Sequence, residues 1–400
     1  MAELDIAEVF NAAKVLKDVA RHPRLIGPTK INPDAQVYLK PENLQHTGAF
    51  KLRGAYYKIS QLTPEEKAKG VIACSAGNHA QGVALSATAN GIKSLICLPA
   101  GAPISKIEAT KALGAEVCMV PGVYDDAYAK AVELQKEYGY TFVHPFDDPL
   151  VIAGQGTIGL EILEEMPDVD AVIVPVGGGG LISGIAFAIK SLKPDVKVYG
   201  VQAQGAPSMA ESIKERNRKR LDSVSTIADG IAVKEPGVNT FDMCEKYVDE
   251  IVTVSDDEIA AAILKLIEQQ KLVAEGAGAV SVAAAMFNKV PIEGKKVVCV
   301  VSGGNIDVTS LNRVITRGLA KAGRDATISI NLPDKPGQLS KVCSVIGDLG
   351  ANILSVQHER NSTNTQINGA TLRVEIETRN LDHVAEIKKG LKDAGYDVVE

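Results

Sequence analysis

A lysine that is to attack a carbonyl must first shed its proton, and apolar neighbours help by disfavouring the charged form. Lys51 meets that description. It lies between Phe50 and Leu52 in residues 40–54, KPENLQHTGAFKLRG. Alone, Lys51 reads better as a helix lysine with its stem laid along the surface. Three further segments share its polar, glycine-rich character. Residues 75–82, SAGNHAQG, follow an apolar run and open a helical pattern. There Ser75 can cap the helix, Gly77 lets backbone approach a ligand, and Asn78 adds a neutral donor. Unpaired amides at such a helix start attract a carboxylate. His79 by itself reads as a satisfied packing residue.

Residues 176–181, VGGGGL, place Gly177, Gly178, Gly179 and Gly180 between a strand and an amphipathic helix. Four consecutive glycines cost backbone entropy, and that cost makes sense if the backbone wraps an anion with its own N–H groups. The segment lacks the Gly-Lys-Ser/Thr of a Walker loop and the spacing of a dinucleotide fingerprint, so a phosphate monoester fits better than ATP or NAD. Residues 302–305, SGGN, end another apolar run and put the Ser302 hydroxyl where it can bond a ring nitrogen. A carbonyl-reactive amine, a phosphate cup, a carboxylate-binding helix start and a hydroxyl partner together describe pyridoxal phosphate holding an amino acid.

The elements that must position these groups alternate. Short apolar runs at residues 71–74, 94–98, 116–120, 171–176, 197–202 and 296–301 read as buried strands. All but the third lead into Gly, Pro or Ser and then a helix, the grammar of a parallel α/β sheet with its sites at the strand carboxyl ends. An amphipathic surface helix is expected within residues 1–20. Near residue 325 the grammar changes. Strands at 327–332, 352–360, 370–378 and 396–399 and helices at 336–349 and 381–394, with a turn at 361–369, give the order β-α-β-β-α-β of a ferredoxin-like fold.

Bulk properties exclude other classes. Hydrophobic residues make up 46% of the 400, enough for sizeable cores, and with no Trp and 4% aromatics those cores must be aliphatic. The net charge is -6, and the densest basic run, residues 214–220, contains Glu215, so it reads as a solvated face and not a nucleic-acid site. Cys74, Cys97, Cys118, Cys244, Cys299 and Cys343 form no CxxC, which argues for buried reduced thiols over disulfides or zinc. No metal site is expected. No signal peptide is evident, and no apolar run approaches the ~20 residues of a membrane helix, so the cytoplasm is the expected compartment.

The segments around Lys51, 75–82, 177–180 and 302–305, with GQGT at 154–157 and EGAG at 275–278, resemble the threonine dehydratase (threonine ammonia-lyase) family in order and spacing over about residues 5–320. The resemblance implies a tryptophan-synthase-β-like catalytic unit, fold type II among pyridoxal-phosphate enzymes. That unit would span 1–320, with a smaller subdomain inserted at about 45–145. A linker at 321–325 and an ACT domain at 326–400 would follow. The ACT likeness rests on residues 332–339, LPDKPGQL, and 350–353, GANI. By position, Lys51 would carry the cofactor and then take the substrate Cα proton. Asn78 would bond the ring hydroxyl oxygen, and Ser75, Gly77, Asn78 and His79 the substrate carboxylate. Gly177 to Gly180 and Leu181 would hold the phosphate, Ser302 would face the pyridine nitrogen, and Glu275 would line the ring pocket.

L-Threonine would give 2-oxobutanoate and ammonia, and L-serine pyruvate and ammonia. The ACT likeness implies a homodimer or homotetramer with an amino-acid effector such as isoleucine or valine, or a purine nucleotide in a degradative form. Serine racemase resembles the same region, but the position of its second base holds Ala76, and Gln202 and Ser208 stand where its metal carboxylates would be. Serine dehydratases and cysteine synthases share the fold. A non-catalytic amino-acid sensor is the alternative from another class, and it need not keep Lys51.

Overall fold

The structure is a computed structural model that describes residues 4–360 and 368–399. Its contacts divide the chain into two compact units, residues 1–306 and 307–400.

The first unit opens with helix Ile6–Leu16, capped by Asp5 and burying Val9, Ala12 and Leu16. Strands β1 (Ile26–Thr29) and β2 (Gln36–Pro41) follow as an antiparallel pair. The chain then leaves for a second sheet made of β3 (Val71–Cys74), β4 (Ser94–Pro99), β5 (Glu116–Val120) and β6 (Thr141–Phe142). It returns with β7 (Ala171–Pro175), β8 (Lys197–Ala203), β9 (Glu250–Val254) and β10 (Lys296–Val301). The larger sheet runs β1-β2-β10-β7-β8-β9 and the smaller β5-β4-β3-β6. Every pair except β1–β2 is parallel. The six expected strands are present, and β1, β2, β6 and β9 join them; β5, expected to be buried, is instead an edge strand with none of its residues buried, because it has a neighbour on one side only. β2 lacks the apolar signature of the other strands because it carries Lys40, a charge that breaks the pattern yet is fully buried.

Both cores are aliphatic. Ile158, Ile162, Val172, Val174, Ile182 and Ile185 fill the larger, and Ile59, Val71, Val83 and Ile96 the smaller. Helices Lys51–Ser60 and Pro149–Glu165 touch backbone to backbone. A Cβ on Gly54 would lie 2.6 Å from the Val151 carbonyl oxygen, and one on Gly154 would lie 2.6 Å from Gly54 Cα. Beside that contact lies a buried ion cluster. Arg53 Nε and Nη2 each donate to Glu42 over 2.8 Å, while Nη1 and Nη2 reach Glu161 over 2.5 and 2.9 Å. Lys40 Nζ adds Glu161 at 2.7 Å and the Pro23 carbonyl at 2.7 Å. A guanidinium bidentate to two carboxylates, two residues beyond Lys51, ties the start of that helix to the 3-10 turn Glu42–Leu44 just after β2 and to helix Pro149–Glu165.

The second unit begins with helix Val308–Lys321. It continues as β11 (Asp325–Pro333), helix Gln338–Asp348, β12 (Asn352–Glu359), β13 (Gly369–Glu377), helix Leu381–Asp393 and β14 (Asp397–Val399). The stretch 321–325 therefore holds the last residue of one helix, a three-residue turn and the first residue of β11. The sheet order is β12-β13-β11-β14, antiparallel throughout, the ferredoxin-like arrangement. The turn expected at 361–369 lies, up to residue 367, outside the described residues.

Among the described residues no helix is long and apolar enough to cross a membrane. All six cysteines are unpaired, with Cys74, Cys97, Cys244 and Cys299 buried.

Candidate active site

The four chemical segments meet at the carboxyl ends of β3, β7 and β10. Lys51 is the first residue of its helix and follows a loop zipped to residues 302–305. Phe50 N donates to Ser302 O over 3.1 Å, Gly304 N to Gly48 O over 2.8 Å, and Ala49 bridges Gly303. The half-buried Lys51 amine donates to the Pro145 carbonyl over 2.5 Å and sits 5.2 Å from the Phe50 ring centroid. Burial lowers its pKa to about 8 against the opposing pull of Glu275.

Asn78 opens the helix after β3. Its Nδ2 donates to Glu275 Oε1 over 2.6 Å, and its Oδ1 accepts from Asn305 Nδ2 over 2.8 Å. Asn305 Nδ2 also reaches the Thr47 carbonyl at 2.7 Å, so three segments share one amide network. Glu275 is buried, which raises its pKa to about 7. Asp229 adds to the rise, while Asn78, Lys106 and Lys51 oppose it. Ser75 does not cap the helix as expected. Gly77 is the cap residue, and the Ser75 hydroxyl instead accepts the Gly77 N–H over 3.1 Å. That bond is local, and a side chain two residues upstream of the cap satisfies the loop before it can reach the helix. A Cβ on Gly77 would meet nothing within 4 Å, so the backbone there faces open space. His79 is buried, with Nε2 against the Val143 carbonyl at 2.8 Å. Burial and the nearby Lys51 charge drop its pKa to about 3, so the ring is neutral.

Gly177 to Gly180 link β7 to helix Gly180–Leu192. Gly179 takes φ +99°, a left-handed conformation that glycine alone adopts cheaply. Among the described residues none accepts a hydrogen bond from the amides of Gly177, Gly178, Gly179, Gly180 or Leu181. Five such donors at a helix start form an anion cradle. The Leu181 side chain itself packs in the core. Ser302 is buried, and its hydroxyl donates to the Ala277 carbonyl over 3.3 Å, which leaves its oxygen able to accept. Gln202 Oε1 accepts from Ala210 N, while Gln202 Nε2 and Ser208 Oγ are buried without a partner.

Sequence reasoning passed over residues 143–149, VHPFDDP. These bring the Lys51 partner Pro145, the ring of Phe146 against Gly178, and Asp147 against residues 238–240. The available signal was a knot of His, Pro and Asp at the end of a two-residue strand. Thr240, which bonds the Gly178 carbonyl, carried no local signal at all.

These residues fit pyridoxal phosphate. A deprotonable amine, a five-amide cradle and an open backbone surface at Gly77 lie within one constellation. Such a site on two parallel sheets defines a fold type II pyridoxal-phosphate enzyme. The chain belongs to the pyridoxal-phosphate dependent enzyme family, whose match covers residues 22–303, and an ACT domain matches residues 326–393. It is 50% identical over 397 residues to L-threonine ammonia-lyase of Thermotoga maritima, 99% of each chain. Among solved structures it resembles processed threonine deaminase isoform 2 of Solanum lycopersicum, at 40% identity and TM-score 0.73, over 78% of this chain and 88% of that one. It also resembles maize serine racemase, at 34% identity and TM-score 0.74, over 79% and 98%.

Proposed function

We propose that this protein is an L-threonine ammonia-lyase that converts L-threonine to 2-oxobutanoate and ammonia, with L-serine to pyruvate and ammonia as a side activity. The observation that carries the reading is the Lys51 amine. It lies at the meeting point of the four segments, donating to the Pro145 carbonyl over 2.5 Å, and burial lowers its pKa to about 8, so it gives up its proton more readily than an exposed lysine. Full-length identity to a relative of that name supports it.

Pyridoxal phosphate, when bound, supplies an aldehyde for the amine and an electron sink that acidifies the substrate Cα–H. The chain's own groups do the rest. The amides of residues 177–181 bind the phosphate. Ser75, Gly77, Asn78 and His79 bind the substrate carboxylate, largely through backbone at the helix start. Asn78 orients the ring hydroxyl oxygen. Ser302 would turn its hydroxyl hydrogen from the Ala277 carbonyl to an unprotonated ring nitrogen, leaving that nitrogen uncharged, which would keep electron density near Cα and favour loss of the β-hydroxyl as water. Lys51 Nζ takes the Cα proton. The unsaturated amine released then hydrolyses to the ketoacid and ammonia.

Racemisation needs a second base on the other face. Ala76, on the loop between Ser75 and Gly77, provides none. The test is ketoacid release from L-threonine, L-serine and their D-forms, run beside Lys51→Ala. Turnover is expected with the L-forms only and is lost in the variant. A fully active variant refutes the assignment of the base, and D-serine formed from L-serine by pure protein refutes the preference for elimination.

The second unit supports binding of a small-molecule effector. An amino acid such as isoleucine or valine, or a purine nucleotide, acting on a cytoplasmic homodimer or homotetramer, is the form we propose. An effector must bind one state better than another. Saturation curves unchanged by a panel of these compounds would remove the idea.

A further inference from the structure

Helix Val238–Tyr247 begins at Gly237, which has no side chain with which to cap it. The cap comes from some ninety residues upstream. Asp147 Oδ2 accepts from Val238 N over 3.0 Å, and Oδ1 accepts from Asn239 N over 2.9 Å and Thr240 N over 3.2 Å. A Cβ on Gly237 would lie 2.4 Å from Asp147 Cγ, so glycine there makes room for the carboxylate. The cap fixes Thr240, which is fully buried, and the Thr240 hydroxyl donates to the Gly178 carbonyl over 2.6 Å. The amide of Gly237 points at the same oxygen at 3.4 Å.

A trans peptide points its carbonyl and its N–H in opposite directions. Holding Gly178 O toward Thr240 therefore turns the Gly179 amide the other way, to the side where no protein group accepts it. Asp147 itself is held by its neighbours. Its N–H donates to His144 Nδ1 over 2.8 Å, and Asp148 caps helix Pro149–Glu165 and pairs with Lys58 at 2.8 Å. The same short segment offers Pro145 O to Lys51 Nζ and sets Phe146 beneath the glycine loop, with ring carbons 2.4 Å from a Cβ built on Gly178.

We propose that Asp147 is a positioning residue for the cofactor phosphate, acting through the first turn of helix Val238–Tyr247 and the Thr240 hydroxyl to aim the Gly179 amide at the anion. This rests on the reading that residues 177–181 hold that phosphate. Neither residue touches the reacting atoms. Their loss should appear in how the phosphate is held and far less in the chemical step.

The experiment uses holoenzyme of wild type, Thr240→Val, Thr240→Ser, Asp147→Asn and Asp147→Ala. Phosphorus NMR reads the environment of the bound phosphate, and equilibrium dialysis reads cofactor retention. Thr240→Val is expected to move the phosphorus resonance and weaken retention at least tenfold. Thr240→Ser, which keeps the hydroxyl, should restore both. Asp147→Asn, which turns an acceptor into a donor facing Val238 N–H, should follow Thr240→Val in direction. Should Asp147→Ala fail to fold, Thr240→Val decides, since it exchanges only a hydroxyl for a methyl. Retention within twofold of wild type with an unmoved resonance, in both Thr240→Val and Asp147→Asn, overturns the proposal. A wild-type protein with no bound phosphorus signal sinks the glycine-loop reading itself, and this inference with it.

Discussion

Asn78 Nδ2 donates to Glu275 Oε1 over 2.6 Å, joining the helix start that follows β3 to the turn before helix Gly276–Met286. A carboxyl oxygen can accept that bond whether or not the group is ionised, so the pair survives titration of Glu275.

That titration has a sign. Glu275 is raised to about 7 in the folded protein, chiefly by burial, against about 4.5 when unfolded. Between those values the native state holds the proton and the unfolded state does not, so its contribution to stability falls as pH rises. Glu275→Gln stays neutral and escapes the loss. Melting of the cofactor-free variant should match wild type near pH 4.5 and exceed it above pH 7, by at most about 3 kcal/mol. A constant offset across that range would contradict the burial argument.

Lys51 behaves inversely. Its folded pKa of about 8 lies below the unfolded 10.5, so the cost of burying its charge is complete below pH 8 and fades as pH climbs to 10.5. Lys51→Met without cofactor should be inactive yet more stable at pH 7 by about 1–3 kcal/mol, with the gain gone near pH 10.5. Calorimetry across pH 6–11 measures this, and a destabilised variant at pH 7 would be the contrary result.

The Arg53 cluster should be costly to break from one side. Arg53→Met leaves Glu42 and Glu161 buried against fewer donors, and a loss of about 3–5 kcal/mol is expected by denaturant titration. Burial pushes Glu161 up, but hydrogen bonding from His22 and the charges of Arg53 and Lys40 outweigh it and hold the group at about 2. Its stabilising share is therefore present above pH 4.5 and lost as pH falls toward 2. Glu161→Gln should flatten the acid limb of the stability curve in that window.

In the glycine loop, Gly178→Ala forces a methyl to within 2.4 Å of the Phe146 ring, and Gly179→Ala places alanine at φ +99° with Met209 and Thr240 at 2.7 Å. Both should fold and lose cofactor affinity at least tenfold, about 1.4 kcal/mol or more, as read by absorbance titration. Wild-type affinity in either would show that the loop tolerates a side chain and does not wrap the anion.

Local chemistry made much of the site readable in one dimension. Lys51, residues 75–82, 177–180 and 302–305 each carry residue types whose chemistry shows within a few positions; the last three follow β3, β7 and β10 directly, and Lys51 opens the helix after the loop that pairs with residues 302–305. The ferredoxin-like order past residue 325 was equally legible, because alternation in a half-exposed antiparallel sheet shows directly in the residue types. Strand β2 was not. Its buried Lys40 is neutralised by Glu161, a partner more than a hundred residues away that no window can see.

The residues thus determined by themselves which groups could do the chemistry and which periodicities would carry them, since both depend on side chain type and near neighbours. Tertiary structure alone decided that Asp147 caps a helix ninety residues on, that the Thr240 hydroxyl meets the Gly178 carbonyl, and that burial raises the Glu275 pKa to about 7. Each of those depends on burial and on contacts between distant segments, and desolvation and long-range hydrogen bonds exist only once the chain has folded.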